Sequence, residues 1–394
     1  MARISRALIA DSSLSTLNDM GAQMRAAGCL TLIETSASRI KDRARTERPD
    51  VVILGVGFSE AEQVRAANEL KSDPVTRRMP LVLAGPAVQH MVIRPELSRR
   101  LDGLLTLPIL TEELIAKLGG SFRLKVMRAE LLRRHVTYGR YGIDGFLDFD
   151  EPKTERTRVL FVRPSTGPLA DQAARLMRLV PGCDPADLVE PMDAIDSLLR
   201  SRYDAAIILG NGSPDDPGSE LCADVRRHSS LFHLPLVYLE PREHSAARAQ
   251  SFVKGASEVL APPFEAEALT RALDLVGRQA KLRARLHAAY QKGAHPETND
   301  PATGLFTPEF LNKHLDLLIE DAFRWDLSLS VVTCVVPQFA AIRHDHGRDA
   351  AASLQRSVGS LIARLVRGED LCARLGDHAF CIVTPESSLE GTAL

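Results

Sequence analysis

Arg367 and Asp370 are the residues of this chain whose types and spacing are best suited to binding a ligand. A guanidinium donates parallel hydrogen bonds from a fixed fork, whereas an ionised carboxylate only accepts them. With two residues between them, the pair can hold a planar group that has acceptors on one edge and donors on another. The alternative is a local ion pair on the surface, which contributes little to stability. The spacing alone leaves both interpretations open.

A predicted β-hairpin follows this pair. Leu371–Leu375 and Phe380–Val383 are largely apolar, and Gly376 and Asp377 between them are typical of a tight turn. Two such segments around a Gly-Asp pair predict antiparallel strands. The stretch resembles the signature hairpin of GGDEF domains, which condense two GTP molecules into cyclic di-GMP. The residues that it shares with this signature are Arg374, Gly376 and Phe380.

The carboxylates that this condensation requires are missing from the expected positions. Joining two nucleoside triphosphates needs acidic ligands for two Mg²⁺ ions and polar groups for the base. The resemblance puts the family's acidic metal ligands at Val335, His378 and Ala379, and its guanine-contacting residue at Arg343. Asp377 stands in the slot of the second glycine. We therefore expect no catalytic residue and no bound metal, and the degenerate active-site positions are Val335, Arg343, Gly376, Asp377, His378 and Ala379.

The resemblance gives the Arg-x-x-Asp pair a specific role. In GGDEF domains such a pair, five residues before the hairpin glycine, is the inhibitory site that binds the product cyclic di-GMP. The same five residues separate Asp370 from Gly376 here. Guanine accepts hydrogen bonds at N7 and O6, which suits an arginine fork, and its N–H groups suit a carboxylate. The resemblance therefore implies that Arg367 and Asp370 bind cyclic di-GMP although the catalytic residues are absent.

Two other clusters could hold a cation. His344 and His346 are two residues apart, so they would point away from each other in a helix, and we favour surface histidines. Asp215 and Asp216 lie in a segment rich in Gly, Pro and Ser, where turn formation is the preferred interpretation.

The chain before this region contains two segments in which the same types of element alternate. Short apolar runs alternate with amphipathic helical segments, which predicts parallel strands covered on both faces in a doubly wound α/β fold. Both segments resemble receiver domains of response regulators. The resemblance places the phosphoacceptor positions at Gly55 and Gly210, and it keeps only Asp11 of the usual acidic set, so we expect no phosphorylation. The predicted strands are Ala7–Ala10, Leu30–Glu34, Val51–Leu54, Leu81–Ala84 and Gly103–Thr106, then Val159–Val162, Ala205–Leu209, Leu236–Leu239 and Glu258–Ala261.

We therefore expect two flavodoxin-like pseudo-receiver domains, followed by a degenerate and shortened GGDEF domain. Residues 1–125 form the first pseudo-receiver and residues 126–156 a linker. Its arginines, Arg128, Arg133 and Arg134, are interpreted as a solvated helix face, with a contact surface as the alternative. Residues 157–292 form the second pseudo-receiver with an extended last helix. Residues 297–394 form the GGDEF domain, whose opening motif is retained at Asn299–Leu305. The shortening is expected because only fourteen residues follow Phe380.

Composition excludes several other classes of protein. The chain has 394 residues and a formal net charge of -2, which gives no electrostatic footprint for nucleic acid. The apolar runs are too short to cross a bilayer, and the six scattered cysteines favour a reducing cytoplasm.

Three hypotheses about function follow. The domain order is similar to that of PleD-type cyclases, and the degenerate hairpin with a retained Arg-x-x-Asp is similar to PopA-type effectors. The resemblance implies a non-catalytic cyclic di-GMP receptor that recruits signalling or adaptor proteins for localisation or regulated proteolysis, as a homodimer through its receivers. Recruitment to the cell pole rests on the resemblance alone. The alternatives are an active diguanylate cyclase and a protein scaffold that binds no nucleotide.

Overall fold

The computed structural model describes residues 6–143, 158–180, 187–293, 295–325 and 327–386. The loop expected at Asp148–Pro152 and Cys183 lie outside these ranges. The described residues belong to two compact units. One unit is drawn from residues 3–122 and 152–281, and the other from residues 123–151 and 282–394.

The first unit begins with a parallel sheet. Because its central strands are apolar and buried along their whole length, helices must cover both faces of the sheet. The strands are β1 (Arg6–Ala10), β2 (Leu30–Glu34), β3 (Val51–Gly55), β4 (Leu81–Gly85) and β5 (Gly103–Thr106), in the spatial order β2-β1-β3-β4-β5. The helices are α1 (Leu14–Ala26), α2 (Ile40–Glu47), α3 (Glu60–Ser72), α4 (Pro95–Ser98) and α5 (Thr111–Gly139). The five strands predicted for this segment are confirmed.

The same unit contains a second parallel sheet with the same topology. Its strands are β6 (Val159–Val162), β7 (Leu188–Val189), β8 (Ala205–Leu209), β9 (Leu236–Leu239) and β10 (Glu258–Leu260), in the order β10-β9-β8-β6-β7. Its helices are α6 (Ala173–Arg178), α7 (Pro191–Arg200), α8 (Pro217–Arg227), α9 (Ser245–Val253) and α10 (Ala266–Lys292). The order 2-1-3-4-5 is that of flavodoxin-like folds, so the predicted doubly wound class is confirmed. Only β7 was missed, because two half-buried residues carry no periodic pattern.

The second unit is built on an antiparallel sheet. Its elements are α11 (Pro308–Trp325), β11 (Leu329–Val335), α12 (Phe339–Leu365), β12 (Leu371–Arg374) and β13 (Ala379–Pro385), and the strand order is β11-β13-β12. Strands β12 and β13 pair with Arg374 opposite Phe380, which confirms the predicted hairpin. The positive φ of 85° at Gly347 breaks α12, in a backbone region that glycine enters without strain.

Helices α5 and α10 extend from the first unit into the second. In the second unit their C-terminal halves pack on each other through Leu124, Met127 and Leu131 of α5 and Leu286 of α10. Tyr138, in the last turn of α5, joins the apolar core under α11 and donates a hydrogen bond to the Gly293 carbonyl at 2.5 Å. The ends of both helices are therefore part of the unit that carries the candidate site.

Candidate functional site

Arg367 and Asp370 form a tight turn between the end of α12 and the start of β12. The Arg367 amide donates to Asp370 Oδ2 at 2.9 Å, and the Asp370 amide donates to the Arg367 carbonyl at 3.1 Å. One carboxylate oxygen of Asp370 therefore closes the turn. Within the described ranges, the Arg367 guanidinium makes no hydrogen bond or salt bridge, so the local ion pair left open by the spacing is not formed there.

Burial is the main cause that raises the pKa of Asp370 above its usual 3.8, and the neighbouring Glu369 carboxylate adds to the rise. The Arg367 amide and the charges of Arg367 and Arg134 act in the opposite direction without cancelling the effect. The ionised Asp370 is thus incompletely compensated in the ligand-free turn. A partner with N–H donors would stabilise it.

The inner side of the turn contacts α5. Arg134 donates from Nη2 to the Asp370 carbonyl at 2.9 Å. Arg123, three helical turns earlier, donates from Nε to Glu369 Oε1 at 3.0 Å. Glu369 is buried, with 3% of its surface exposed. The two arginines therefore hold the turn at two successive residues, Glu369 and Asp370.

Helix α10 lies beside the same turn. A Cβ atom built on Gly368 would be 3.4 Å from Tyr290 Cδ2 and 3.7 Å from His287 Nδ1. Burial, together with the nearby positive charge of Arg123, lowers the pKa of Arg283, while Glu369 opposes this shift. Basic side chains of both helices thus act electrostatically on Glu369 and Asp370 of the turn.

A buried ionic cluster anchors α5 to α11. Glu130 is fully buried and accepts hydrogen bonds from Arg134 at 2.8 Å and Arg133 at 3.1 Å. His314 Nε2 lies 2.9 Å from the same carboxylate, and Arg133 also donates to Asp321 at 3.1 Å. Burial opposes ionisation of Glu130, but His314 and the two arginines outweigh it and lower its pKa to about 2.

The prediction of a solvated face for Arg133 and Arg134 is therefore wrong. Their side chains are 11% and 8% exposed. Each arginine occurs three or four residues after Glu130, which places the three side chains on one face of the helix. This spacing was the available signal, but it could not reveal that α11 and the Arg367–Asp370 turn would cover that face.

The positions that the resemblance assigns to the family's metal ligands carry no carboxylate. Val335 pairs with Ala379 across β11 and β13, and its side chain is 53% exposed. The His378 ring lies 6.4 Å from the Phe339 ring in a stacked orientation. Gly376 is in the turn, where an added Cβ would meet nothing within 4 Å. These residues do not offer the oxygen ligands that Mg²⁺ requires.

Asp377 is adjacent in sequence to His378, and it is engaged by two arginines. Its Oδ1 is 3.2 Å from Arg374 Nη2, and its Oδ2 is 3.3 Å from Arg343 Nη1. Arg374 also binds Asp300 of the opening motif at 2.8 Å, and the Gln355 side chain donates to the Asp377 carbonyl at 2.6 Å. The side chain of Asp377 is thus directed into an ion-pair network.

The two candidate cation clusters lie on or next to helices in the described part of the chain. His344 and His346 lie on α12, where His344 is 87% exposed and contacts its neighbour Asp345. Among the described residues, no three His, Cys, Asp or Glu side chains are grouped to hold a metal ion. Asp216 caps α8 by accepting from the Gly218 amide at 2.9 Å, as the preferred turn interpretation expected.

In the first receiver-like domain, Asp11 fills the space around the acceptor position. It is 1% exposed and accepts from the Gly57 amide at 3.0 Å and from the Ser13 amide at 2.7 Å. A Cβ on Gly55 would overlap the Asp11 carboxylate. There is consequently no space at Gly55 for the side chain that a phosphoacceptor would need.

The second receiver-like domain is filled by a different side chain. A Cβ on Gly210 would overlap the Tyr238 hydroxyl, which donates a short hydrogen bond to Asp216. Burial, and then the Asp216 charge, raises the pKa of Tyr238. The neutral phenol therefore occupies the space that a side chain at residue 210 would need.

The comparisons with known proteins distinguish the C-terminal segment from the two domains before it. Residues 297–394 match the family described as "Diguanylate cyclase, GGDEF domain". The response regulator PleD of Caulobacter vibrioides is 21% identical over 360 residues, which cover 88% of this chain and 75% of PleD. A GGDEF domain and homology to PleD are therefore established, and the fold class of two receiver-like domains followed by a GGDEF domain is confirmed.

Solved structures are similar to separate parts of the chain. One is the GGDEF domain of DgcB from Caulobacter crescentus in complex with c-di-GMP, with 20% identity and a TM-score of 0.24. The match covers 24% of this chain and 55% of that one, so it spans little more than half of the DgcB chain. Another is the chemotaxis response regulator CheY4 of Vibrio cholerae, with 17% identity, a TM-score of 0.25, and coverage of 30% of this chain and 98% of that one. Separately, no helix in the described ranges is long and apolar enough to span a membrane.

Proposed function

We propose that this chain is a non-catalytic receptor for cyclic di-GMP in bacterial signalling. The ligand binds at the Arg367–Asp370 turn, with the Arg367 guanidinium on the N7/O6 edge of one guanine and the Asp370 carboxylate on its N–H edge. No further cofactor and no metal takes part. The receptor works in the cytoplasm and passes the signal on by recruiting protein partners.

The proposal is best supported by the hydrogen bonding and the charges of the Arg367–Asp370 turn. Its backbone is held by α5, but the Arg367 guanidinium has no partner within the described ranges and the Asp370 carboxylate has a raised pKa. A guanine base presents the complementary acceptors and donors to both groups. The turn is therefore organised for binding while its recognition groups remain available.

Loss of catalysis is part of the proposal. Val335, His378 and Ala379 offer no carboxylate for Mg²⁺, and Asp377 is already paired with Arg343 and Arg374. Incubation with GTP and Mg²⁺ should therefore yield no cyclic di-GMP. Formation of product would show that the chain is an active cyclase.

The partner functions extend the proposal. The two receiver-like domains have lost the space for an acceptor aspartate, so their surfaces are proposed to serve contacts with signalling or adaptor proteins and with a second copy of the chain. As in PopA-type effectors, the outcome would be localisation, including at the cell pole, or regulated proteolysis of a partner.

Calorimetric titration of cyclic di-GMP into the full chain tests the binding proposal. We expect binding by the wild-type protein and a loss of roughly 10- to 100-fold in affinity for Arg367→Ala, because a bidentate arginine–guanine pair contributes about 1–3 kcal/mol. Arg364→Ala is the matched control, since Arg364 is exposed and lies one helical turn earlier. The control should bind like the wild type.

Two results would contradict the proposal. Absence of binding to the wild-type protein would leave a scaffold that needs no nucleotide. Equal affinities of the wild-type protein and Arg367→Ala would place any ligand elsewhere on the chain.

A further inference from the structure

Helix α5 contributes to the candidate ligand site from outside the segment that matches the GGDEF family. That segment begins at residue 297, whereas Arg123 and Arg134 belong to α5. The hydrogen bond from Arg134 to the Asp370 carbonyl joins residues 236 positions apart in the chain. The support of the turn is therefore a tertiary feature of this chain.

The environment of Arg134 allows its guanidinium little freedom. Nε donates to Glu130 at 2.8 Å while Nη2 donates to the Asp370 carbonyl at 2.9 Å. The guanidinium carbon also lies 4.7 Å from the centre of the Tyr290 ring and 5.2 Å from that of the Phe306 ring. A planar fork with two acceptors and two aromatic neighbours has one favourable orientation.

Arg123 supports the same turn through a salt bridge to the carboxylate of Glu369, the residue before Asp370. Glu369 and Asp370 are consecutive, so the two arginines fix both the position and the direction of the peptide that carries the Asp370 side chain. The alignment of that carboxylate with a base is sensitive to such support, because hydrogen-bond strength falls steeply with the angle at the hydrogen.

We propose that Arg134 and Arg123 of α5 are positioning residues of the cyclic di-GMP site, which hold the Arg367–Asp370 turn in its binding conformation without touching the ligand. This inference rests on the proposed function. It makes the part of α5 from Arg123 onwards, which belongs to the second unit, a structural part of the ligand site.

The chain contains a matched control in the adjacent residue. Arg133 also donates from Nε to Glu130 and bridges it to a second acceptor, but that acceptor is Asp321 on α11. Arg133→Lys and Arg134→Lys therefore make the same chemical change at the same carboxylate. Only the second removes a contact to the turn, because a lysine ammonium cannot span two acceptors in the way that a guanidinium does.

The experiment is calorimetric titration of cyclic di-GMP into both full-length variants, with their thermal unfolding midpoints measured alongside. We expect about tenfold weaker binding for Arg134→Lys and affinity within about twofold of wild type for Arg133→Lys, at similar losses of stability. Arg123→Gln, at a side chain that is 32% exposed, is the second variant in case Arg134→Lys does not fold. It should weaken binding about threefold to tenfold.

Two outcomes would overturn the inference. Wild-type affinity in Arg134→Lys and Arg123→Gln, with binding still lost in Arg367→Ala, would leave the proposed function intact and remove the role of α5. Equal loss of affinity in Arg133→Lys and Arg134→Lys would mean that both act through general stability. Failure of the wild-type chain to bind would reject the proposed function itself.

Discussion

Gly55 and Gly210, the positions that the resemblance to receiver domains assigns to a phosphoacceptor, are each crowded by a different side chain. Asp11 fills the first position with a carboxylate that accepts two backbone hydrogen bonds, and Tyr238 fills the second with a phenol. The two glycines are thus crowded by chemically different neighbours. Glycine at each position accounts for the lack of an acceptor carboxylate. The neighbouring side chain explains why an aspartate placed there would not restore phosphorylation.

Gly55→Asp should therefore fail to restore phosphorylation. The new Cβ would overlap the Asp11 carboxylate and add a like charge beside it, so we expect a loss of about 1–3 kcal/mol in stability. Treatment with acetyl phosphate and Mg²⁺, followed by intact mass measurement, should detect no phosphoryl adduct. Gly277→Ala in α10 is the control, because its added Cβ would meet nothing within 4 Å and should stabilise the helix by about 0.5–1 kcal/mol. A stable, phosphorylated Gly55→Asp protein would contradict this account.

At the scale of elements, α5 is held in the second unit by charge as well as by apolar packing. Glu130 lies between Arg133, Arg134 and His314, and its pKa of about 2 is below its ordinary value of 4.5. A carboxyl group with a lowered pKa in the folded state stabilises that state most when it is ionised. This contribution is complete above about pH 4.5 and disappears as the pH falls towards 2.

Unfolding of the second unit should accordingly become easier below pH 4.5, with Glu130 accounting for a change on the order of 3 kcal/mol. Urea unfolding followed by circular dichroism at a series of pH values measures this change. Glu130→Gln should be less stable at pH 7 and should show a weaker dependence on pH. Glu309→Gln, at a carboxylate that is 69% exposed, should behave like the wild type. An identical pH dependence in Glu130→Gln and the wild type would refute this role.

At the scale of the whole molecule, the two receiver-like domains of the first unit share residues across their cores. Leu275 of α10 packs into the core of the first domain, and Ala116 of α5 packs against the core of the second. Next to Ala116, the buried ammonium of Lys117 lies 2.9 Å from Glu113 and 2.5 Å from Glu258. One cation thus joins carboxylates from both domains.

Removing this cation should be costly. Lys117→Met would leave the buried Glu258 carboxylate without its cation and Glu113 with Arg248 as its remaining partner. Breaking a buried pair in this way typically costs about 3–5 kcal/mol. Thermal unfolding followed by circular dichroism should show a large drop in the midpoint. Lys71→Met is the control, since Lys71 pairs with Asp102, a residue whose side chain is 40% exposed, and should cost less. Equal losses of thermal stability in the two variants would show that burial of Lys117 does not increase the cost of removing it.

Residue identity and local periodicity were enough to predict several local features. Uninterrupted apolar runs predict parallel strands, and Gly376 and Asp377 predict the hairpin turn. The sequence alone also shows that Val335, His378 and Ala379, the positions that the resemblance assigns to metal ligands, are not carboxylates. Tertiary structure alone decided which distant groups meet. Arg134 is interpreted as solvated from its neighbours in sequence, yet it is buried against a turn 236 residues away. Burial and pairing of a charge depend on the elements that pack over it, and short-range patterns carry no information about those elements.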